Sequence, residues 1–215
     1  MKQFVVAGLG RFGSSVAKTL AENDYNVLAI DTNEERVQEI SNVVTHAVEA
    51  DATDADALKT LGVRNFDVAI ISIGDNIHAN ILATLIMKEL GVPYVVTKAQ
   101  NALHGKVLSK VGADRIVYPE RDMGVRIAHN LISSNVLDYI EFAPDHGIIE
   151  IIVSTDMIGN TLAELELRSR FGVNVMAIKR GKELNISPGA DDRLLKDDVL
   201  IVIGKNENLD EIKNF

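Results

Sequence analysis

The sequence of 215 residues contains neither cysteine nor tryptophan, and only 5% of its residues are aromatic. The absence of cysteine excludes disulfide bonds and thiolate metal sites. Every apolar run is shorter than the roughly 18 residues that a membrane-spanning helix needs. Residues 1–3 lead directly into an apolar segment without the layout of a signal peptide, which predicts a cytoplasmic protein.

Basic residues are also in deficit, because the formal net charge is −9 at pH 7. Nucleic acids and anionic lipids are bound by dense Lys and Arg surfaces, and the charges here are interspersed. We therefore expect no nucleic-acid partner, although a local basic pocket could still take one anionic ligand. None of the five histidines has a second histidine four residues away, so we do not expect a zinc site.

Apolar strand-like runs alternate with segments of helical spacing over residues 1–119. The strand-like runs cover residues 4–7, 26–30, 47–50, 67–72, 92–97 and 116–118. Strands joined by helices of about 10–15 residues predict right-handed crossovers and a parallel, doubly wound sheet. We therefore predict an α/β domain of the Rossmann type over residues 1–119.

The pattern changes after residue 119. A long helix is predicted from Glu120 to about residue 135, and strand-like runs with few helices follow it. These runs cover residues 137–142, 148–153, 173–178 and 199–203, with a turn at 144–147 and short helices at 162–168 and 207–212. The sequence predicts a connecting helix over 120–136 and a small, mostly antiparallel α+β domain over 137–215.

A glycine-rich motif over residues 8–13 closes the first strand and opens a helix. Asp31 follows about twenty residues later at the end of the second strand, as the dinucleotide-binding fingerprint requires. In this pattern Gly8 permits a tight turn, Gly10 lets a pyrophosphate approach the backbone, and Gly13 lets helix and strand pack closely. With no neighbouring Arg to pair with a 2′-phosphate, Asp31 should accept from free ribose hydroxyls. A glycine turn that binds nothing is the alternative.

Arg11 and Phe12 lie inside this loop. A dinucleotide does not need a cation there, because the backbone N–H groups of the helix terminus suffice. Arg11 could instead neutralise a terminal phosphate, which favours ATP or ADP over NAD. A solvated arginine without a ligand is the other reading.

Polar and small residues follow the remaining strands at the same predicted edge of the sheet. The candidates for nucleotide contact are Asn33, Asp51, Ala52, Thr53, Ser72, Ile73, Gly74 and Lys98. We expect the 51–53 segment near an adenine and the 72–74 segment at the topological switch point. Asp51 could instead be a helix cap or a turn residue. Glu120 could bind a ligand, or it could be an acid that stabilises the N-terminus of its helix.

Residues that could carry catalysis are hard to find. The sequence has no G-x-S-x-G elbow or Walker A motif, and the His of the second domain, His146, falls in a predicted exposed turn. A nicotinamide dehydrogenase needs a proton donor and substrate clamps over its cofactor. We therefore predict a regulatory module and not an enzyme. The alternative is an NAD(H)-binding redox sensor or a small NAD-dependent oxidoreductase.

Taken together, these motifs resemble a known family over nearly the whole chain. The glycine loop, Asp31, the 49–53 segment and Lys98 resemble the RCK/KTN (TrkA-N) domain of potassium-transport regulators. Residues 159–180 and the ending from Pro188 to Leu200 resemble the TrkA-C (RCK-C) domain. The chain thus resembles the regulatory subunits of Ktr and Trk potassium uptake systems.

This resemblance implies a cytosolic subunit docked at the inner face of the membrane, beneath a potassium transporter subunit of the KtrB or TrkH type. It implies homodimers that assemble into an octameric ring, with the 120–136 helix as the dimer crossover. ATP would favour the conducting ring and ADP the closed one. Glu120 would help to hold Mg²⁺ or another divalent cation between nucleotides across the dimer.

The resemblance also implies a second ligand. The C-terminal domain is similar to one that binds cyclic di-AMP at its own dimer interface, and Arg168, Asn174 and Pro188 occupy the matching places. Without the resemblance, Arg168 would be a helix-end cation and Asn174 a strand-edge residue. A stand-alone receptor for the cyclic dinucleotide is therefore a further hypothesis.

Overall fold

The computed structural model describes residues 1–132, 136–143, 145–213 and 215. These residues form two compact units, Met1–Pro119 and Glu120–Phe215. Within the described ranges, no helix has both the length and the apolar character needed to cross a membrane.

Six parallel strands form the sheet of the first unit. They are β1 Gln3–Ala7, β2 Asn26–Asp31, β3 His46–Glu49, β4 Val68–Ile71, β5 Tyr94–Lys98 and β6 Arg115–Val117. Their order is β3-β2-β1-β4-β5-β6, and every neighbouring pair is parallel. The predicted doubly wound sheet is confirmed. Its strand order reverses between β1 and β4, which is where such sheets bind ligands.

Five α-helices connect these strands. They are α1 Arg11–Glu22, α2 Glu34–Ser41, α3 Ala55–Thr60, α4 Ile77–Glu89 and α5 Ala102–Lys110, with a short 3-10 helix at Val63–Asn65. An Asn or Asp side chain caps each of α2 to α5 by accepting from a backbone N–H of the first turn. The first helix differs, because Gly10 precedes it and offers no side-chain cap.

Alternate residues of the central strands face two separate apolar clusters. Val5 of β1 and Leu28 of β2 belong to one cluster, whereas Val6 and Val27 belong to the other. Successive side chains of a strand point to opposite faces, so both faces of the sheet are covered. This double coverage holds the strand ends, and the loops that leave them, in fixed positions.

A five-stranded antiparallel sheet forms the core of the second unit. Its strands are β7 Val136–Ala143, β8 His146–Ile152, β9 Asn174–Arg180, β10 Glu183–Asn185 and β11 Val199–Lys205, in the order β10-β9-β11-β8-β7. Its helices are α6 Pro119–Ile132, α7 Leu162–Leu165, α8 Leu167–Phe171 and α9 Asn206–Ile212. The predicted α+β class of this region is confirmed.

Two details of this unit differ from the sequence expectations. The helix predicted over 162–168 is two helices, because Glu166 adopts a left-handed conformation with φ of 49°. The turn predicted over 144–147 is shorter, since His146 already begins β8 and pairs with Lys205 of β11. Residue 144 of that turn and residue 135 of the predicted long helix lie outside the described residues.

Candidate functional site

The loop between β1 and α1 needs glycine at two positions for reasons internal to the fold. Gly8 has a φ of 95°, and its N–H donates to the Ile30 carbonyl at 2.8 Å. A Cβ atom on Gly13 would lie 1.9 Å from the Gly8 carbonyl oxygen and 2.3 Å from Ser72 Oγ. An L side chain would therefore strain the first position and collide at the second.

Gly10 has no such internal reason to be glycine. A Cβ atom there would meet nothing within 4 Å, and φ of −66° with ψ of −177° suits any residue. The residue stands immediately before the first turn of α1, where backbone N–H groups attract anions. Glycine is favoured at a helix N-cap, and a ligand phosphate close to the backbone would be a second physical reason for glycine here.

Arg11 and Phe12 point to different roles within the same loop. Arg11 is exposed as the first residue of α1. Phe12 is half-buried and packs against the apolar cluster that contains Val6 and Val27. The packing of Phe12 thus supports the helix, whereas the exposed cation of Arg11 stands where it can reach an anion at the helix terminus. Ligand contact by either residue stays a prediction.

Asp31 fixes the glycine loop to the end of β2. Its buried carboxylate accepts from the Leu9 N–H at 2.6 Å through Oδ2 and from the Asn33 N–H at 2.9 Å through Oδ1. A carboxylate has about four acceptor positions. The group can therefore hold the loop and still accept from ribose hydroxyls.

Arg36 lies beside Asp31, contrary to the expectation that this carboxylate has no Arg neighbour. Its Nη1 is 3.6 Å from Asp31 Oδ2, and 46% of the Arg36 side chain is exposed. Asn33 caps α2 by accepting from the Arg36 N–H at 3.0 Å, which places Arg36 in the first turn. That cap was readable from the sequence and could have revealed the pair. Because Arg36 is present, the expected lack of a cation beside Asp31 does not count against a ligand with a 2′-phosphate.

The segment after β3 forms a tight turn. Asp51 Oδ1 accepts from the Thr53 N–H at 2.8 Å and from the Thr53 hydroxyl at 2.7 Å. The cap of α3 is Asp54, so the structure assigns Asp51 to the turn and not to the helix. Ala52 is buried beneath this turn. The expected contact of the segment with an adenine stays a prediction.

The ends of β4 and β5 converge on the glycine loop. Ser72 Oγ donates to the Gly8 carbonyl oxygen, and Gln100 Nε2 donates to the Gly74 carbonyl oxygen. Lys98 Nζ is 3.5 Å from the position that a Cβ atom on Gly74 would take. The structure thus gathers the glycine loop, the 72–74 segment and Lys98 at one edge of the sheet. Gln100 was missed, because a polar loop residue follows no periodic pattern.

His104 holds the loop that carries Gln100 through a hydrogen bond to its backbone. It is buried, and its Nδ1 accepts from the Gln100 N–H at 3.3 Å. Burial lowers the pKa of His104, because a charged imidazole loses hydration in the interior. The neutral ring is the form that can accept this hydrogen bond.

Glu120 is exposed in the first turn of α6. Among the residues that the structure describes, no group of three or more His, Asp and Glu side chains could hold a metal ion. A divalent cation at Glu120 would therefore need ligand oxygens from a nucleotide or from another chain. The predicted cation stays a prediction.

The three residues expected to contact cyclic di-AMP lie in different elements of the second unit. Arg168 is exposed in α8, Asn174 begins β9 opposite Ile203, and Pro188 follows β10. This unit also contains a cavity of about 300 Å³. Its lining residues are Ile178, Arg180, Glu183, Asn185, Asp192, Arg193 and Leu195. Since the three predicted residues do not line it, the cavity does not support their role.

The first unit is thus a Rossmann-like domain with a glycine-rich loop at its first β–α turn, and the second is an antiparallel α+β domain. Family models agree with this division. Residues 4–119 match the TrkA-N domain, and residues 148–215 match the TrkA-C domain. The chain belongs to the family of TrkA-N and TrkA-C domain proteins that includes the Ktr potassium uptake subunits.

Two curated relatives from Bacillus subtilis (strain 168) illustrate this membership. The chain is 53% identical to Ktr system potassium uptake protein C over 94% of its own length and 92% of the relative. It is 42% identical to Ktr system potassium uptake protein A, over 99% of its own length and 96% of that protein. The resemblance to Ktr potassium uptake subunits is confirmed.

Solved channel structures share the fold. The GsuK channel bound to NAD matches with a TM-score of 0.68 and 18% identity, covering 97% of this chain and 38% of the channel chain. A structure of GsuK bound to ADP matches with a TM-score of 0.51 and 18% identity, covering 57% of this chain and 32% of that chain. This chain therefore spans less than half the length of those channel chains.

Proposed function

We propose that this chain is a regulatory subunit of a potassium uptake system, which binds an adenine nucleotide at the carboxyl edge of its six-stranded sheet. It acts by gating a transporter and not by catalysis. The observation that carries the proposal is Gly10. The fold requires glycine at Gly8 and Gly13 but leaves the Gly10 position open at the start of an uncapped helix.

Nucleotide binding at this edge follows from the surrounding groups. The N–H groups at the start of α1 and its dipole attract phosphates. Asp31 lies one strand away and can accept from ribose hydroxyls while it holds the Leu9 N–H. Lys98 approaches Gly74 on the other side of the loop. The groups that would bind ribose and phosphate therefore follow one another along the edge of the sheet, as we propose for an adenine nucleotide.

Exchange of ATP for ADP is the proposed signal. A ligand moves a protein between two shapes only by the difference in its affinity for them. Arg11 is the exposed cation at the helix terminus that a terminal phosphate can reach, whereas the adenosine half engages groups on β2 and β3. ATP and ADP would thus share the adenosine contacts and differ at Arg11, and Glu120 with a divalent cation would add to that difference.

The partners proposed for this chain follow from its relatives. The relatives are potassium uptake proteins, so we infer a membrane-embedded transporter subunit as the partner and a cytoplasmic location beneath it. Exposed apolar side chains on α6 favour its role as a dimer crossover, with octameric rings formed from such dimers. These side chains are Met123, Val125, Ile127 and Leu131, each between 47% and 80% exposed. Exposed apolar clusters of this kind mark protein interfaces.

Calorimetric titration of the pure protein with ATP, ADP, NADH and adenosine tests the proposal. We expect ATP and ADP to bind, and Arg11→Ala to weaken ATP about tenfold more than adenosine, because a charge-assisted phosphate contact is lost. Lys18→Ala is the matched control, since Lys18 is an exposed cation on the same helix. It removes one charge without touching the loop and should leave both affinities unchanged.

Two results would contradict this function. Tight binding of NADH without binding of ATP or ADP would favour the redox-sensing alternative, since Asp31 and the glycine loop serve either ligand. Equal weakening of ATP and adenosine by Arg11→Ala would remove the role given to Arg11. Size-exclusion chromatography with light scattering tests the assembly, and a monomer at high concentration would contradict the ring.

A further inference from the structure

Three polar side chains are completely buried in the first unit, behind the ends of β4 and β5. Asn80 and Thr84 lie one turn apart on α4, and Thr97 lies on β5. Each has 0% exposure. Buried polar groups cost free energy unless they are hydrogen-bonded, so the partners of these side chains reveal their role.

Asn80 bonds to the backbone of two loops at once. Its Nδ2 donates to the Ile73 carbonyl at 2.8 Å and to the Lys98 carbonyl at 3.2 Å. Its Oδ1 accepts from the Thr97 hydroxyl at 3.0 Å. Two carbonyl acceptors on one side and a hydroxyl donor on the other determine which way the amide is oriented. The amide thus ties the loop after β4 to the loop after β5.

Both of these loops carry residues assigned to the nucleotide site. Ile73 is followed by Gly74, and Lys98 Nζ lies 3.5 Å from the Cβ position of Gly74. Ser72, on the other side of Ile73, donates to the Gly8 carbonyl oxygen of the glycine loop. Through Asn80, hydrogen bonds therefore run from Lys98 to the glycine loop.

We propose that Asn80 is a positioning residue for the nucleotide site. It sets the separation of Lys98 from the 72–74 segment and, through Ser72, from the glycine loop. The inference rests on the proposed function, because it assumes that a nucleotide occupies this edge of the sheet.

The position of the cluster defines which part of a ligand it affects. Asp31 stands on β2, on one side of the switch point, so the adenosine half of a nucleotide belongs there. Asn80 controls loops after β4 and β5, on the other side. Loss of the Asn80 amide should therefore lower the affinity for ligands that extend beyond the adenosine. The affinity for adenosine itself should stay nearly the same.

Thr84 provides an internal comparison within the same cluster. Its hydroxyl donates to the Asn80 backbone oxygen at 2.8 Å and lies 3.3 Å from Thr97 Oγ1. Neither contact reaches a loop carbonyl. A substitution of Thr84 therefore perturbs the packing of the cluster without releasing the loops, whereas substitution of Thr97 removes the hydrogen bond that orients the Asn80 amide.

The test compares Asn80→Leu, Thr97→Val and Thr84→Val by calorimetric titration with ATP, NADH and adenosine, alongside urea unfolding. For whichever of ATP and NADH binds the unmodified protein more tightly, we expect Asn80→Leu to weaken it about tenfold more than adenosine. Thr97→Val should give about a threefold difference, and Thr84→Val should give none.

The outcomes separate this inference from the proposed function. If the unmodified protein binds no nucleotide, the proposed function fails and the inference falls with it. If nucleotides bind but every variant weakens the larger ligand and adenosine equally, Asn80 only stabilises the fold and the inference alone is overturned. Should Asn80→Leu not fold, the comparison of Thr97→Val with Thr84→Val decides, because both replacements nearly conserve volume, and identical affinity ratios would overturn the inference.

Discussion

The two units differ in the polar side chains that they bury completely. In the first unit, the fully buried polar side chains Asn80, Thr84 and Thr97 are neutral and bond mainly to one another and to loop carbonyls. In the second unit, Asp198 is a fully buried carboxylate. It accepts from Nε and Nη2 of Arg180, both at 2.8 Å, and from the Leu195 N–H at 2.8 Å.

The difference lies between hydrogen bonds of neutral groups and an ion pair, which respond differently to pH. The hydrogen bonds among Asn80, Thr84 and Thr97 join neutral groups and do not depend on pH, although the Asp31 carboxylate and His104 also hold loops in this unit. A charged pair depends on the ionisation of its carboxylate. The hydrogen bond from Arg180 lowers the pKa of Asp198, and the hydrogen bond from Arg126 lowers the pKa of Asp138 in the same unit. In the first unit, desolvation is outweighed by hydrogen bonds from Lys88 and the Val95 N–H, which lower the pKa of Asp114, so both units contain acid-sensitive carboxylates.

The largest expected effect comes from overfilling the tightly packed turn of the first unit. In Gly13→Ala the new Cβ would lie 1.9 Å from the Gly8 carbonyl oxygen, so backbone must move. We expect this unit to lose about 3 kcal/mol or more of unfolding free energy. Hydrogen exchange followed by mass spectrometry, resolved by peptide, should show lost protection in residues 1–119 and unchanged protection in the second unit.

Gly10→Ala is the matched control for that substitution. Its Cβ meets no atom within 4 Å, so stability should change by less than about 1 kcal/mol. The same variant should nevertheless lose ATP binding, since the methyl group would stand where we propose that the phosphate approaches. A Gly13→Ala protein as stable as the Gly10→Ala protein would contradict the packing that we describe for this loop.

The second largest effect should come from breaking the hydrogen-bonded ion pair of Arg180 and Asp198 in the second unit. Asp198→Ala removes three hydrogen bonds and leaves the Leu195 N–H without its acceptor. We expect a loss of about 2 to 3 kcal/mol, measured by urea unfolding. The cost is moderated because 49% of the Arg180 side chain is exposed and can regain water. Asp191→Ala, at an exposed position in the same unit, should change stability little.

The dependence of stability on pH should separate the contribution of the carboxylates from that of His104. Because the folded pKa of Asp198 and of Asp138 is lowered, their stabilisation is present above the unfolded value of about 3.9 and is lost as the pH falls through the folded values. The lowered pKa of His104 acts in the same direction but starts below about 6.5, where the unfolded ring takes up a proton. Urea unfolding at pH 7, 5 and 3 measures the contribution of the two carboxylates and that of His104.

Asp198→Asn is the control for this pH dependence, because an amide keeps the shape but cannot titrate. We expect it to flatten the fall in stability between pH 5 and pH 3 and to leave the change between pH 7 and pH 5 as it was. An undiminished fall below pH 5 in this variant would show that other carboxylates dominate the acid sensitivity.

The sequence predicted features whose residues lie at a fixed spacing along the chain, and it missed contacts between residues of separate elements. The glycine loop and Asp31 were readable because their spacing along the chain is itself the signal. The Asn80 bonds to Ile73 and Lys98 were not, since they join three separate elements and a buried Asn on an apolar helix has no periodic mark. The break at Glu166 was also unreadable, because a left-handed Glu follows no common rule. Periodicity predicted the strands and helices, whereas the hydrogen bonds that join separate elements needed the three-dimensional structure.

The smallest effect is expected for the longer ion pair of the first unit, between Arg36 and Asp31, and it sharpens the comparison most. Arg36→Gln should change the unfolding free energy by less than about 0.5 kcal/mol, because Arg36 is half-exposed and its Nη1 lies 3.6 Å from Asp31 Oδ2, beyond hydrogen-bond distance. Its cation, however, lies beside the carboxylate that is expected to accept from the ribose. We therefore expect the variant to weaken 2′-AMP about threefold relative to adenosine, measured by calorimetry.

Glu35→Gln supplies the control for Arg36, because Glu35 is an exposed first-turn residue of the same helix. It should leave the ratio of the two affinities unchanged. An Arg36→Gln protein with lower stability but an unaltered ratio would mean that ion pairs have the same structural task in both units. The expected result is the reverse: the hydrogen-bonded pair of Arg180 and Asp198 stabilises a fold, whereas the longer pair of Arg36 and Asp31 contributes to the choice of ligand.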